Sequence, residues 1–152
     1  MRAVLQRVSQ ARVSVTGDEI SSMGPGLLVL LAAGQGDSET EVSWMVNKII
    51  GLRIFPDEHD KMNRSLQDMG GEMIAVSQFT LYGDCRKGRR PSFGKALEPE
   101  AAQHLCDLFV EKVCAQGIRC QAGKFGAEMS VSLCNEGPVT LLIDRPGARP
   151  LP

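Results

Sequence analysis

Residues 27 to 33, Leu-Leu-Val-Leu-Leu-Ala-Ala, form an unbroken apolar run of seven residues directly after Gly24-Pro25-Gly26. A run this short that lacks polar alternation reads as a strand buried on both faces. It is far from the roughly 20 apolar residues that a membrane-spanning helix requires. The rest of the chain therefore has to supply cover for a sheet. Residues 2 to 8 place Ala3, Leu5 and Arg7 on one side and Val4, Gln6 and Val8 on the other. Val13 and Val15 alternate again before a turn at Gly17-Asp18, and Glu19 to Met23 reads as the returning strand of an N-terminal meander.

Two segments carry helical periodicity. Asp37 or Ser38 can cap a helix whose first turn holds Glu39 and Glu41, and Val42, Met45, Val46, Ile49 and Ile50 make one apolar stripe before Gly51. A second helix starts near Pro99 and buries Leu105, Leu108, Phe109 and Val113 before Gly117. Leu52 to Phe55 and Ile118 to Gln121 are short strand candidates, the region from Lys61 to Gly71 takes no assignment, and Glu72 to Leu81 reads as the central strand. Two principal helices among roughly eight strands, partly meander and partly β-α-β, predict an α/β fold with mixed sheets layered under helices.

The chain of 152 residues is 43% hydrophobic, enough for one domain over residues 1–144 followed by a flexible tail at residues 145–152 with three prolines and a glycine. Met1 leads straight into strand-like sequence, so neither a leader peptide nor a membrane segment is expected. Cys85, Cys106, Cys114, Cys120 and Cys134 are odd in number and scattered. That pattern fits reduced thiols in a cytoplasm, with no metal and no cofactor expected. Net charge is −1, so a nucleic-acid partner would have to meet a local basic surface. One exists: Arg86, Lys87, Arg89, Arg90 and Lys95, spaced by Gly, Pro and Ser with no acid among them. It is either a phosphate-binding loop or a solvated positive face.

Two stretches have side chains suited to recognition. Asn135-Glu136-Gly137-Pro138-Val139-Thr140 joins two alternating runs, Met129 to Cys134 and Val139 to Ile143, and reads as a hairpin with a four-residue loop. Gly137 tolerates unusual backbone angles and Pro138 lacks an N–H, so the loop is rigid and rich in carbonyl acceptors. Ser77-Gln78-Phe79-Thr80-Leu81 puts hydroxyl and amide groups at the end of an apolar strand.

The two motifs together, with Gln6-Arg7-Val8, Lys61-Met62-Asn63 and Arg90-Pro91-Ser92-Phe93, resemble the D-aminoacyl-tRNA deacylases, the D-Tyr-tRNA deacylase family. The likeness runs from Met1 to about Ile143. It implies a three-layer β/β/α fold and a cytoplasmic homodimer with its active site at the subunit interface. The implied reaction is hydrolysis of the ester of D-aminoacyl-tRNA at the 3′ CCA end, and of glycine mischarged on tRNA-Ala. By the same resemblance Gly137-Pro138, with its bond cis, reaches into the partner's pocket. There it reads the substrate α-ammonium through carbonyls and rejects L-aminoacyl esters. Arg7 is expected to hold that motif. From the residues themselves, Phe125 and Met129 either line the pocket or belong to the core.

The chemistry is consistent with a site thin in catalytic side chains. Thr80 as a nucleophile would need an activating base, and the chain has only His59 and His104, neither beside a motif. Backbone N–H groups near Phe79 and Thr80 as an oxyanion hole, with water assisted by the tRNA ribose hydroxyl, are the preferred assignment. Ser77, Gln78, Phe79 and Thr80 are thus the catalytic candidates. The residues also leave open a non-catalytic tRNA-binding or editing-accessory module, or a small-molecule D-amino acid ester hydrolase.

Overall fold

The computed structural model describes residues 1–147. In chain order its elements are β1 (Arg2–Val15), β2 (Asp18–Met23), β3 (Gly26–Ala32), α1 (Glu39–Ile50), β4 (Phe55–Pro56), β5 (Met62–Arg64), β6 (Glu72–Ser77), a 3-10 turn (Phe79–Tyr82), α2 (Pro99–Cys114), β7 (Cys120–Ala122) and β8 (Ser130–Asp144). β1 is one long strand, and it turns into β2 through Thr16 and Gly17 at positive φ, 50° and 92°. Such a pair of left-handed residues matches the twist of a two-residue hairpin.

β3, the apolar run, pairs antiparallel with β1 on one side and parallel with β6 on the other. β7 then adds in parallel to β6. α1 lies between β3 and β6 in sequence and α2 between β6 and β7, so the helices are the crossovers that parallel pairing demands. Ser38 caps α1 as expected: its hydroxyl accepts from the Thr40 N–H, and Glu41 reaches back to the Ser38 N–H at 2.9 Å.

Two apolar cores make the three layers. Leu5, Leu27, Val29 and Leu31 pack against Met45, Ile49, Phe109 and Val113 of the helices. On the opposite face, Leu28, Ile74 and Val76 pack with Val8, Ala11, Val13 and Met23. β1 serves both cores because its inward-facing set changes where its register with β8 shifts, between Gln6 and Gln10. The outcome is the β/β/α arrangement that the resemblance implies, with two principal helices.

Three local expectations are corrected. The Met129 to Ile143 region is no hairpin. β8 runs as a single strand antiparallel to β1 from Ser130 opposite Ser14 to Asp144 opposite Arg2, and the Gly-Pro step bulges out between Asn135 (opposite Val8) and Thr140 (opposite Gln6). Alternating runs on both sides of a Gly-Pro suit a bulge as well as a reversal, and the long continuous edge of β1 favours the bulge. β6 is not central and stops at Ser77 rather than Leu81. It lies between β3 and β7, and its neighbour β3 ends at Ala32, so the last ladder-like bond is Gln78 N–H to Leu31 O at 2.8 Å. Without a partner the chain curls into the 3-10 turn. The short strand expected at Leu52 to Phe55 is instead Phe55–Pro56, paired with Met62–Arg64 from the unassigned region. Of the expected tail, Arg145 is tied to the domain by its N–H to Met1 O at 2.8 Å and by its guanidinium 5.2 Å from the Trp44 ring centroid. Residues 148–152 lie outside the described residues.

Candidate active site

Ser77, Gln78 and Phe79 line one wall of a cleft of about 460 Å³. Phe125 and Met129 line another, and Leu31, Ala96 and Leu97 are also part of the boundary. The cleft is mostly apolar, so its polar end stands out. The amide of Gln78 donates to the Thr80 hydroxyl at 2.5 Å, and among the described residues no side chain caps the 3-10 turn. The first N–H groups of any helical turn have no partner within it. Leu81 N–H bonds back to Gln78 O at 3.1 Å, whereas those of Phe79 and Thr80 make no such bond among the described residues. They form a pair of free donors beside the cleft.

Behind the turn, Arg2 donates to Leu81 O at 3.0 Å and stacks on the Tyr82 ring at 4.7 Å. Tyr82 reaches Asp37 at 3.4 Å. Burial, reinforced by the charges of Asp37 and Asp144, pushes the Tyr82 phenol well above its ordinary range, so it stays a donor. The turn is thereby braced by β1 and the loop before α1.

Among the described residues no activated side chain adjoins this end of the cleft. His59 and His104 are both exposed and line neither this cleft nor the one around the Gly-Pro step. Cys106 does line it, but burial, with Asp107 adding, pushes its thiol up to about 12, so it is not a thiolate at neutral pH. Among the described residues no group of three or more His, Cys, Asp or Glu side chains is placed to hold a metal ion.

Gly137 and Pro138 lie elsewhere, beside a second cleft of about 600 Å³ bordered by Arg7, Phe55, Met62 and Met69. The Gly137-Pro138 bond is cis and Gly137 has φ 123°. Arg7 donates to Glu136 O at 3.2 Å and to Ile54 O at 2.6 Å, bridging the bulge to the loop before β4. Asn135 closes the bulge from within, accepting from Val139 N–H at 3.2 Å and donating to the Thr140 hydroxyl at 2.8 Å. Neither Asn135 nor Thr140 was singled out from sequence as a brace, although an Asn ahead of a Gly-Pro step is a local signal for side-chain-to-backbone bonding.

The two motifs are thus not brought together within one chain. From β8 through β1 and β3 to β6 is three strand spacings of about 4.8 Å, and Ser77 lies four residues beyond Met73, the position level with Arg7. At about 3.3 Å per residue the separation is roughly 15–20 Å.

The basic stretch forms an exposed hairpin closed by Asp84 and Ser92, whose backbones exchange bonds of 2.8 and 3.1 Å. Asp84, just outside the stretch, grips Arg86 at 2.5 and 2.9 Å. That grip holds its carboxyl well below the usual carboxylate range. Lys87, Arg89, Arg90 and Lys95 are exposed and take part in no ion pair among the described residues.

The family model described as D-Tyr-tRNA(Tyr) deacylase matches residues 4–144. A D-aminoacyl-tRNA deacylase of Desulfitobacterium hafniense is 57% identical over 144 residues, covering 95% of this chain and 97% of that protein. One of Myxococcus xanthus is 54% identical over 147 residues, covering 97% and 96%. Among solved structures, a c-Myc DNA unwinding element binding protein aligns with TM-score 0.90 and 40% identity over 97% of this chain and all of that one. A probable eukaryotic D-amino acid tRNA deacylase aligns with TM-score 0.81 at 20% identity, over 95% and 98%, a likeness of fold. No helix among the described residues is long and apolar enough to cross a membrane. With matched residues spanning both motifs and nearly all of the sheet, the chain belongs to the D-Tyr-tRNA(Tyr) deacylase family, a family of hydrolases.

Proposed function

We propose that this protein is a cytoplasmic deacylase that hydrolyses the ester of D-aminoacyl-tRNA, and of glycyl-tRNA-Ala, to free amino acid and tRNA. The observation that carries this reading is the pair of N–H donors of Phe79 and Thr80, unpartnered among the described residues, beside an apolar cleft in which those residues offer no activated base or nucleophile. An aminoacyl ester is already reactive, so two donors aimed at the developing oxyanion, with an ordered water, are adequate machinery. Water adds to the ester carbonyl, the oxyanion accepts from both N–H groups, and collapse expels the ribose oxygen, which takes up a proton. The vicinal ribose hydroxyl assists the water. The terminal nucleoside occupies the cleft, with Phe125 and Met129 against it.

The roughly 15–20 Å between motifs supports an active site completed by a second copy, whose Gly137 and Pro138 carbonyls accept from the substrate α-ammonium. Arg7, through its bond to Glu136 O, positions that loop. An L side chain would meet the loop, whereas a D side chain points away and glycine has nothing to exclude, which is discrimination by clash.

The test is hydrolysis of D-Tyr-tRNA and L-Tyr-tRNA in EDTA, beside free D-tyrosine ethyl ester. Loss of the D-ester on tRNA alone is expected. Equal turnover of both tRNAs would remove chirality reading, and turnover of the free ester at a like rate would make the protein a small-molecule esterase. Binding without turnover would leave a non-catalytic module, a reading for which the exposed basic hairpin is the supporting feature.

Thr80→Ala separates the two chemistries. The Thr80 hydroxyl already accepts from Gln78 and has no base beside it, so the variant keeps kcat/KM within about 10-fold, its backbone N–H being intact. Removing a true nucleophile costs on the order of 10⁶-fold, and a loss approaching that with the fold preserved would assign covalent catalysis to Thr80.

A further inference from the structure

Phe79 and Phe93 meet edge-to-face, ring centroids 5.1 Å apart and planes at 70°. Both are open to solvent, at 58% and 36% exposure. Burial in this chain's core therefore does not account for the pair. Phe79 lines the cleft, and Phe93 stands against it outside the cleft wall. Phe93 is fixed by its backbone on both sides: Ser92 is bridged to Asp84, and Phe93 O accepts from Ala96 N–H at 2.9 Å. The ring pair is a rigid step between the cleft and the hairpin that carries Lys87, Arg89 and Arg90.

We propose that the Phe79–Phe93 pair is a stacking platform for the nucleobase immediately 5′ of the esterified nucleoside, with the cationic hairpin taking the phosphates upstream of it. The inference rests on the deacylase reading for which end of the RNA enters the cleft. Its own support is independent: single-stranded nucleic acid is held by aromatic faces next to positive charge, and here exposed rings adjoin cations. Among the described residues Asp84 forms an ion pair with Arg86 alone. A rim of aromatic carbon and unpaired cations complements a flexible polyanion with unstacked bases. The terminal base belongs in the cleft, so the ring pair outside it meets the next base along.

The experiment measures binding of an uncharged acceptor-stem RNA hairpin ending in CCA, by fluorescence anisotropy at fixed salt, against the same RNA with an abasic penultimate position. Stacking of one base is read as about a 5- to 150-fold change in Kd. The wild-type protein is expected to lose that factor on removal of the base. Phe93→Ala is expected to bind the intact RNA about as weakly as wild type binds the abasic one, with little further loss when both changes are combined, and Phe93→Trp to keep the affinity. Phe93→Leu, which retains apolar bulk without a π face, replaces the alanine variant if that one fails to fold. In kinetics the same variants raise KM for D-Tyr-tRNA more than KM for D-tyrosyl-adenosine, which has no upstream base. Indifference of wild type to the abasic change, or fully additive losses, would overturn the platform. So would a change in oligomeric state in Phe93→Ala, since the rings would then belong to a contact between copies. Base-dependent binding by a protein that hydrolyses no D-ester would sink the deacylase reading and leave the platform standing. Chirally selective hydrolysis without base dependence would do the reverse.

Discussion

Gly137→Ala lowers kcat/KM for D-Tyr-tRNA by on the order of 100-fold while costing only about 1–3 kcal/mol of stability. The backbone at 137 has φ 123°, a region that side-chain-bearing residues rarely adopt. A Cβ there would also lie 2.9 Å from Arg7 Nη2, 2.9 Å from Val139 Cγ2 and 3.2 Å from Val139 N. An arginine end can usually yield, but this one is engaged with Glu136 O and Ile54 O. The bulge must therefore shift by some tenths of an ångström to an ångström, and misplacement of about 1 Å near a reacting centre costs about 100-fold. The fold survives because the bulge is exposed and the β1–β8 ladder continues on both sides of it. Steady-state kinetics with D- and L-Tyr-tRNA and a thermal melt check the prediction. Activity within a few-fold of wild type would remove the loop from the reaction.

The same variant tests whether the loop acts in the partner's cleft. Ala127 lines the cleft and not the loop, so Ala127→Trp should block a subunit's own cleft and leave its loop intact. If two copies share the site as proposed, each variant alone keeps at most about 1% of wild-type kcat/KM, whereas a mixed dimer has one unblocked cleft facing one intact loop. Co-expression should then restore activity to a sizeable fraction of wild type. No recovery in a verified heterodimer would mean that loop and cleft serve each other within one chain.

How much of this was legible in sequence depends on whether the signal was local. Leu27 to Ala33, the Ser38 cap and the α1 stripe are local patterns, and each element formed where its residues indicated. The Met129 to Ile143 region failed because period-2 alternation is the same in a hairpin and in one bulged strand. What distinguishes them is the 14-residue span of β1, which offers partners on both sides of the Gly-Pro step. Ser77 ends β6 although Phe79 and Leu81 continue the alternation, because β3 runs out, a fact located some 45 residues earlier in the chain. Motif residues on the cleft were readable through family resemblance. The Phe79–Phe93 contact was not, since it needs the Asp84–Ser92 closure to fold Phe93 back. Asp84 would have been noticed had the basic stretch been read two residues further upstream.

Asp37→Asn is expected to cost about 3–5 kcal/mol, among the largest single losses of stability in the chain. The Met1 ammonium and the Asp37 carboxylate are 2.6 Å apart, with 0% and 1% of their side chains exposed. The ammonium also donates to Arg145 O, and the same carboxylate oxygen accepts from Gly34 N–H at 2.6 Å. An asparagine keeps the shape and an acceptor oxygen but removes the charge, and leaves a cation in a site that water does not reach. Breaking one side of a buried pair is far costlier than the pair's net worth, because the remaining ion retains its whole desolvation penalty. For a domain of this size the loss corresponds to a fall in Tm of about 6–20 °C. Local effects should follow the network: Tyr82, which reaches Asp37, packs against Gly34 so closely that a Cβ there would sit 2.4 Å from its ring. Tyr82 ends the turn that presents the Phe79 and Thr80 N–H groups, so the variant should lose kcat moderately even well below its Tm. KM for tRNA should change less than kcat, because the proposed phosphate contacts of the Lys87 to Arg90 hairpin lie outside that turn. Chemical denaturation of the variant with an unchanged m-value, beside kinetics at 15 °C, measures both parts. A loss under about 1 kcal/mol would mean that the ammonium finds water or another acceptor, and that the end of β1 is less tightly closed than its burial indicates.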